Sequence, residues 1–127
     1  MIIDTDVLIW YMRGNEKAKK TIDNMESFSI SSVVYMEILQ GIRNKNELKE
    51  LKLFVRNRHI QIIPLDPDIT SKAIFFLERY SLSHSLRMAD ALIASTTDIL
   101  GETLFTSNTS HYRMIPNLSL KKFKPYL

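Results

Sequence analysis

The chain has no cysteine among its 127 residues, which excludes a disulfide framework, an iron–sulfur cluster and a thiolate zinc site. Glycine is scarce at three residues and proline at four, so neither a collagen-like repeat nor a linker-dominated chain fits. Purely apolar runs are only a few residues long, far short of the roughly 20 needed to span a bilayer. The opening Met1-Ile2-Ile3-Asp4 has neither the basic region nor the apolar stretch of a signal peptide. What is present is ordinary for a globular protein: 45% hydrophobic and 24% charged residues, in a length that suits one domain over residues 1–127. A cytoplasmic protein with no membrane association is the expectation.

The net charge of +3 is unevenly spread. Residues 1–42 carry four basic and six acidic groups, and residues 59–112 carry three basic and six acidic. Between them, residues 43–58 carry six basic and two acidic groups, and residues 113–127 carry Arg113, Lys121, Lys122 and Lys124 with no acid. The basic blocks read either as phosphate-contacting surface or as solvated helix and tail.

Short apolar runs alternate with helical patterns. Met1 to Ile3, Phe28 to Ile30, Ile60 to Ile63 and Thr103 to Thr106 read as strands, with a weak last strand near Leu118 to Leu120. Helices are expected from Val7 to Tyr11 (capped by Thr5 or Asp6 and ended by Gly14), from Asn15 to Met25 and from Val33 to about Ile42. Further helices are expected over Asn46 to Arg58, from Pro67 behind an Asp66 cap to about Tyr80, and from Leu86 to Leu100 before Gly101. Ser81 to Ser85 reads as a loop. Such alternation implies an α/β fold with a mainly parallel sheet covered by helices on both faces; periodicity does not give the strand order.

Ligands of such folds gather at the carboxyl ends of the strands, and three acids fall near there in apolar surroundings. Asp4 ends the first strand, or else caps the next helix. Glu37 lies in Val33-Val34-Tyr35-Met36-Glu37-Ile38-Leu39-Gln40, a helix apolar almost all round, where a lone carboxylate needs a cation, donors or an arginine. Asp90 has Leu86, Ile93 and Ala94 as helical neighbours, and the adjacent Arg87 is an alternative partner. Three acids on separate elements make a common site plausible, and all-oxygen ligation suits Mg²⁺ or Mn²⁺. Zinc is disfavoured, because His59, His84 and His111 have no close metal-binding spacing. A carboxylate-held Mg²⁺ commonly partners a phosphate oxygen and an attacking water, which points to phosphoester hydrolysis.

These residues carry a family likeness. Asp4-Thr5-Asp6-Val7-Leu8-Ile9 resembles the opening of PIN-domain proteins, and Ser31 to Gly41, with Glu37 inside its helix, resembles their second segment. Met88-Ala89-Asp90-Ala91-Leu92-Ile93-Ala94 resembles the third segment, and Leu104 to Asn108 through His111-Tyr112 to Leu118 resembles the closing one. In length and order the chain is similar to the VapC-type toxins of prokaryotic toxin–antitoxin pairs. That resemblance implies a PIN-like three-layer sandwich and a Mg²⁺-dependent ribonuclease acting on tRNA, rRNA or mRNA. It also implies a homodimer inhibited by a cognate VapB-type antitoxin.

Carried over by residue, the resemblance places Asp4, Glu37 and Asp90 at the three core acidic positions and Asn108 at a fourth that is often Asp. Asn108 retains an oxygen ligand but no charge. Thr106 either adds a hydroxyl or ends a strand, and Asp6 reads first as a helix cap and second as an outer ligand. On this reading Asp4 and Asp90 hold the metal directly, while Glu37 binds it through water or positions the nucleophile. Arg43 and Arg87 are candidate RNA contacts, or balance the acids in the resting protein. Two rivals remain: a catalytically silent PIN-like domain that binds RNA or protein, and a haloacid-dehalogenase-type phosphatase suggested by Asp4-Thr5-Asp6. The phosphatase lacks its late acid pair after Thr106-Ser107-Asn108.

Overall fold

The computed structural model describes residues 1–126, in which five short strands alternate with six α-helices. In chain order these are β1 (Ile2–Ile3), α1 (Thr5–Met12), α2 (Glu16–Asp23), β2 (Ser29–Ser31), α3 (Ser32–Gln40), α4 (Lys45–Asn57) and β3 (Gln61–Ile63). There follow α5 (Pro67–His84), α6 (Met88–Ile99), β4 (Thr103–Thr106), a 3-10 turn (Thr109–His111) and β5 (Ser119–Lys122). The strands form one sheet in the order β3-β2-β1-β4-β5, and every pairing is parallel. With its flanking helices this is the three-layer α/β sandwich expected.

Burial explains the element order. Ile2 and Ile3 of the central strand, Leu104 of β4, Val7 of α1, Val34 of α3 and Ala91 of α6 are fully buried in one core. Each large aliphatic side chain so buried contributes about 1.5–3 kcal/mol, which compensates strands only two to four residues long. The polar run Ser95-Thr96-Thr97 is also buried, and all three hydroxyls are satisfied. Ser95 donates to the Ile69 carbonyl across to α5 (2.6 Å), while Thr96 and Thr97 donate one turn back to Leu92 and Ile93. Small side chains there let α5 and α6 pack closely.

Several boundaries differ from expectation for physical reasons. Helix α1 begins two residues early, because Asp4 itself is the cap and accepts from the Thr5 amide at 2.8 Å. Helix α5 runs through Ser81–Ser83 to His84, since no breaker stands there. It stops only where Ser85 turns left-handed at φ 57°, letting the Leu86 amide reach the Tyr80 carbonyl. Helix α6 starts at Met88, so buried Leu86 belongs to the connection and Arg87 is a cap without a side-chain bond. Helix α3 is not buried all round: Met36 is half-exposed and Glu37 is partly exposed.

The order places a topological switch between β1 and β4. Connections leave β1 towards β2 and β3 on one side, and β4 and β5 lie on the other. Crevices of this kind open at the carboxyl ends of the strands, here at Asp4 and Thr106.

Candidate active site

Asp4 continues β1 by donating its amide to the Phe105 carbonyl (2.9 Å). Its carboxylate is almost fully buried, at 6% exposure. One oxygen, Oδ1, caps α1; the other, Oδ2, accepts from the Thr106 hydroxyl at 2.8 Å and the Tyr112 hydroxyl at 2.9 Å. Among the described residues no Lys, Arg or His forms an ion pair with it. Burial, reinforced by the negative charge of Asp6, raises its pKa from 3.8 to about 6, against the three hydrogen bonds that favour the anion.

Asp90 sits in the first turn of α6, where the helix dipole favours a carboxylate. Its Oδ1 lies 3.3 Å from the same Tyr112 hydroxyl, and its Oδ2 lies 3.6 Å from His111 Nδ1. Its pKa is also raised, first by burial, with His111, Tyr112 and Arg87 opposing and Asp6 adding. Tyr112 is 1% exposed, and burial beside two acids pushes its phenol far above its ordinary range, so it stays a neutral donor.

Asp6 joins α1 to the turn after β4. Its Oδ1 accepts from the Val7 amide (2.8 Å), and its Oδ2 accepts from the Ser107 amide (2.9 Å), the Ser107 hydroxyl and the Asn108 side-chain amide (3.2 Å). The Asn108 backbone amide donates to Thr106 Oγ1 (3.0 Å), the same atom that donates to Asp4. Asp4, Asp6, Asp90 and Asn108 therefore belong to one hydrogen-bonded neighbourhood, threaded by Thr106 and Tyr112.

Glu37 stands at its edge. Its Oε1 accepts from the Thr5 hydroxyl at 2.7 Å, so it communicates with Asp4 only through the first residue of α1. It also lines a cleft of about 630 Å³ between α1, α3 and α4, together with Ile9, Met12, Ile38 and Phe54. Of the three acids, Asp4 and Asp90 meet at one phenol, and Glu37 lies one residue of α1 away from Asp4. Among the described residues no three His, Cys, Asp or Glu side chains are gathered closely enough to hold a metal ion.

Arg43 lines the same cleft as Glu37, but its guanidinium is committed to Glu47 at 2.8 Å and is largely exposed. Arg87 is exposed and contributes charge to Asp90 without an ion pair; the His111 ring stands beside that carboxylate instead, at 3.6 Å. Sequence reasoning did not single out Tyr112, Thr5 or Ser107 as functional side chains. The only available signal was their position beside the quoted acids and Asn108, since the pointing of a hydroxyl is not written in periodicity.

The donor set suits a hard cation. Its candidate ligands Asp4, Asp90 and Glu37 are all carboxylates, and among the described residues no protein cation pairs with buried Asp4. A parallel α/β sandwich with an oxygen-rich acidic crevice at the β1/β4 switch defines the class. Within it, the PIN domain family model matches residues 1–115, and the chain belongs to the PIN-domain family. It is 30% identical to Ribonuclease VapC19 of Mycobacterium tuberculosis (strain H37Rv) over 122 residues, covering 92% of this chain and 95% of that protein. Among solved structures it is similar to a toxin–antitoxin complex from Klebsiella pneumoniae, with 25% identity over 98% of this chain and 97% of that chain, and a TM-score of 0.74. It also shares the fold of a DNA-bound VapBC structure from Salmonella typhimurium, with 18% identity over 95% of this chain and 96% of that chain, and a TM-score of 0.82.

Proposed function

We propose that this chain is, as one PIN domain, a divalent-metal-dependent endoribonuclease and the toxin of a VapBC-type pair. The observation that carries the reading is Asp4: a buried carboxylate without a protein cation, sharing one phenol hydrogen with Asp90. The likeness to a ribonuclease along nearly the whole chain supports the chemistry.

Asp4 and Asp90 are the residues to hold Mg²⁺ or Mn²⁺, with Glu37 contributing from the far side of Thr5. When bound, such a cation polarises a scissile phosphodiester and makes water a competent nucleophile near neutral pH. The chain's own groups do the rest. Thr106 orients Asp4, Asn108 holds the turn beside it through Asp6, and Glu37, on the cleft, accepts the proton of the attacking water. Water then adds to phosphorus as the bond to the 3′ oxygen breaks, and that oxygen takes up a proton from solvent, leaving a 5′-phosphate and a 3′-hydroxyl. The RNA 2′-hydroxyl has no part in this step.

Two measurements test it. Asp90→Asn keeps the shape of the side chain and removes its charge, so Mg²⁺-dependent cleavage of total cellular RNA is expected to fall at least 100-fold, a barrier rise of about 2.7 kcal/mol. Parent-like cleavage by that variant, or products ending in 2′,3′-cyclic phosphate, would sink the mechanism.

The partner part of the reading rests on the cleft between α1, α3 and α4. Its apolar floor, bordered by Arg13, Lys19 and Glu50, suits an amphipathic antitoxin segment, and the neighbour from Klebsiella pneumoniae is itself a toxin–antitoxin complex. A homodimer belongs to the same reading, with Ile74 and Phe75 on α5 exposed at 53% and 52% as its apolar surface; a monomeric sedimentation coefficient would remove it. A second reading, binding without cleavage, draws on the uncharged Asn108 and on the absence of a gathered three-acid cluster among the described residues. RNA binding with neither Mg²⁺ binding nor cleavage would establish it.

A further inference from the structure

Among the described residues, the Tyr112 hydroxyl is the one group within hydrogen-bond reach of both Asp4 and Asp90. We propose that Tyr112 is a positioning residue for this pair: its phenol fixes the separation and orientation of the two carboxylates, so that a divalent cation meets a prepared site. The proposal rests on the metal-dependent reading above and names a residue that neither the acids nor their spacing would reveal.

The geometry makes the phenol a rigid spacer. Its ring is buried in the main core cluster, and its backbone is pinned on both sides, the amide donating to Thr109 O and the carbonyl accepting from Ile115 N, each at 3.0 Å. The ring therefore has no freedom to follow one acid away from the other. The preceding residue, His111, borders the outer oxygen of Asp90 at 3.6 Å, so two consecutive side chains frame that carboxylate.

The hydrogen count gives the spacer its function. A phenol has one hydrogen and faces two acidic oxygens, at 2.9 Å on Asp4 and 3.3 Å on Asp90. The contact is shorter to Asp4 and longer to Asp90, so a single hydroxyl ties the two carboxylates together. A phenylalanine would fill the same space, leave Asp4 with the Thr5 and Thr106 donors, and release the link to Asp90. Groups that orient metal ligands in this way typically contribute 10–100-fold to metal affinity.

The test is Tyr112→Phe in the full chain, with Mn²⁺ as the probe. Free Mn²⁺ is followed by electron paramagnetic resonance, and metal-free thermal unfolding is measured alongside. The expected result is a Kd for Mn²⁺ raised about tenfold or more, with cleavage of RNA recovering as Mn²⁺ is increased. A phenol that serves only folding would lower the unfolding midpoint and leave the Mn²⁺ affinity of the folded protein unchanged; that outcome overturns the proposal. A parent chain that binds no Mn²⁺ overturns both the proposal and the reading it rests on. If the variant fails to fold, 3-fluorotyrosine in the parent decides the matter. Tyr112 is the buried tyrosine among those described, and its fluorine resonance is expected to shift on adding Mg²⁺. A buried tyrosine resonance that does not move overturns the assignment.

Discussion

Asp4 uses its two carboxylate oxygens for two tasks: Oδ1 caps α1, and Oδ2 faces Thr106 and Tyr112. Reading the sequence sets cap and ligand as alternatives, yet one side chain is placed for both, because β1 ends and α1 begins at the same residue. The elevated pKa gives this arrangement a measurable sign. With a folded value of about 6 against an ordinary 3.8, the native state binds more protons than the unfolded chain between those two pH values. Asp4's contribution to the stability of the metal-free protein is therefore fully present below about pH 3.8 and is lost as pH rises through about 6, by about 3 kcal/mol for a shift of this size. Asp4→Asn removes the titration, so the difference in unfolding free energy between variant and parent should grow in the variant's favour across that window. Adding Mg²⁺ should stabilise the parent above pH 6 and do little for the variant. A parent and variant that change in parallel from pH 4 to pH 7 would show that Asp4 is not held as described.

At the scale of elements, the site depends on how α1 is joined to the turn after β4. Asp6 makes that joint with bonds to the Val7 and Ser107 amides, the Ser107 hydroxyl and the Asn108 side chain. Asp6→Ala leaves those donors without their charged acceptor, and urea unfolding at pH 7 should show a loss of about 2 kcal/mol. A loss below about 0.5 kcal/mol would mean that water replaces the carboxylate without cost. The elements themselves were largely legible in the sequence. Asp66 caps α5 as expected, the second helix starts at Glu16 one residue past the expected Asn15, and β4 spans the expected Thr103–Thr106. Less legible was anything set by packing between distant segments. Helix α3 reads as apolar all round, but it meets the core on one side only and borders the cleft with Glu37 on the other. Arg87 is adjacent to Asp90 in helical space, but His111, brought in by the turn after β4, takes the nearer position. A charge in apolar sequence is conspicuous, which singles out the candidate acids; an aromatic in apolar sequence reads as core, which hides Tyr112.

Across the whole molecule, charge and sheet register combine. Asp4 lies beside Thr106, and Thr106 pairs with Lys122 in β5, with the Phe123 amide bonded to the Thr106 carbonyl at 2.8 Å. Lys122 is thus two strands from Asp4, about 10 Å at the usual strand spacing. Lysines on an edge strand also deter edge-to-edge pairing, which is reason enough for them in any sheet. RNA affinity separates the two roles. All three lysines are exposed, but Lys121 lies over the Phe105 ring at 5.6 Å, so the informative variant is Lys122→Gln with Lys124→Gln. In the other basic block, Arg43 is paired with Glu47, and Arg58 bonds the Ile22 and Met25 carbonyls, which commits two of its six basic groups internally. Binding of a single-stranded RNA, measured by fluorescence anisotropy across a salt series in an Asp90→Asn background, should weaken in the double variant. The slope of log affinity against log salt should fall by about 0.7 for each phosphate no longer neutralised. Lys45→Gln with Lys49→Gln, in the first two turns of α4, should change that slope less. Equal slopes in the double variant and its background would leave the β5 lysines as edge protection only, and would move the RNA track away from the row that joins Lys122 to Asp4.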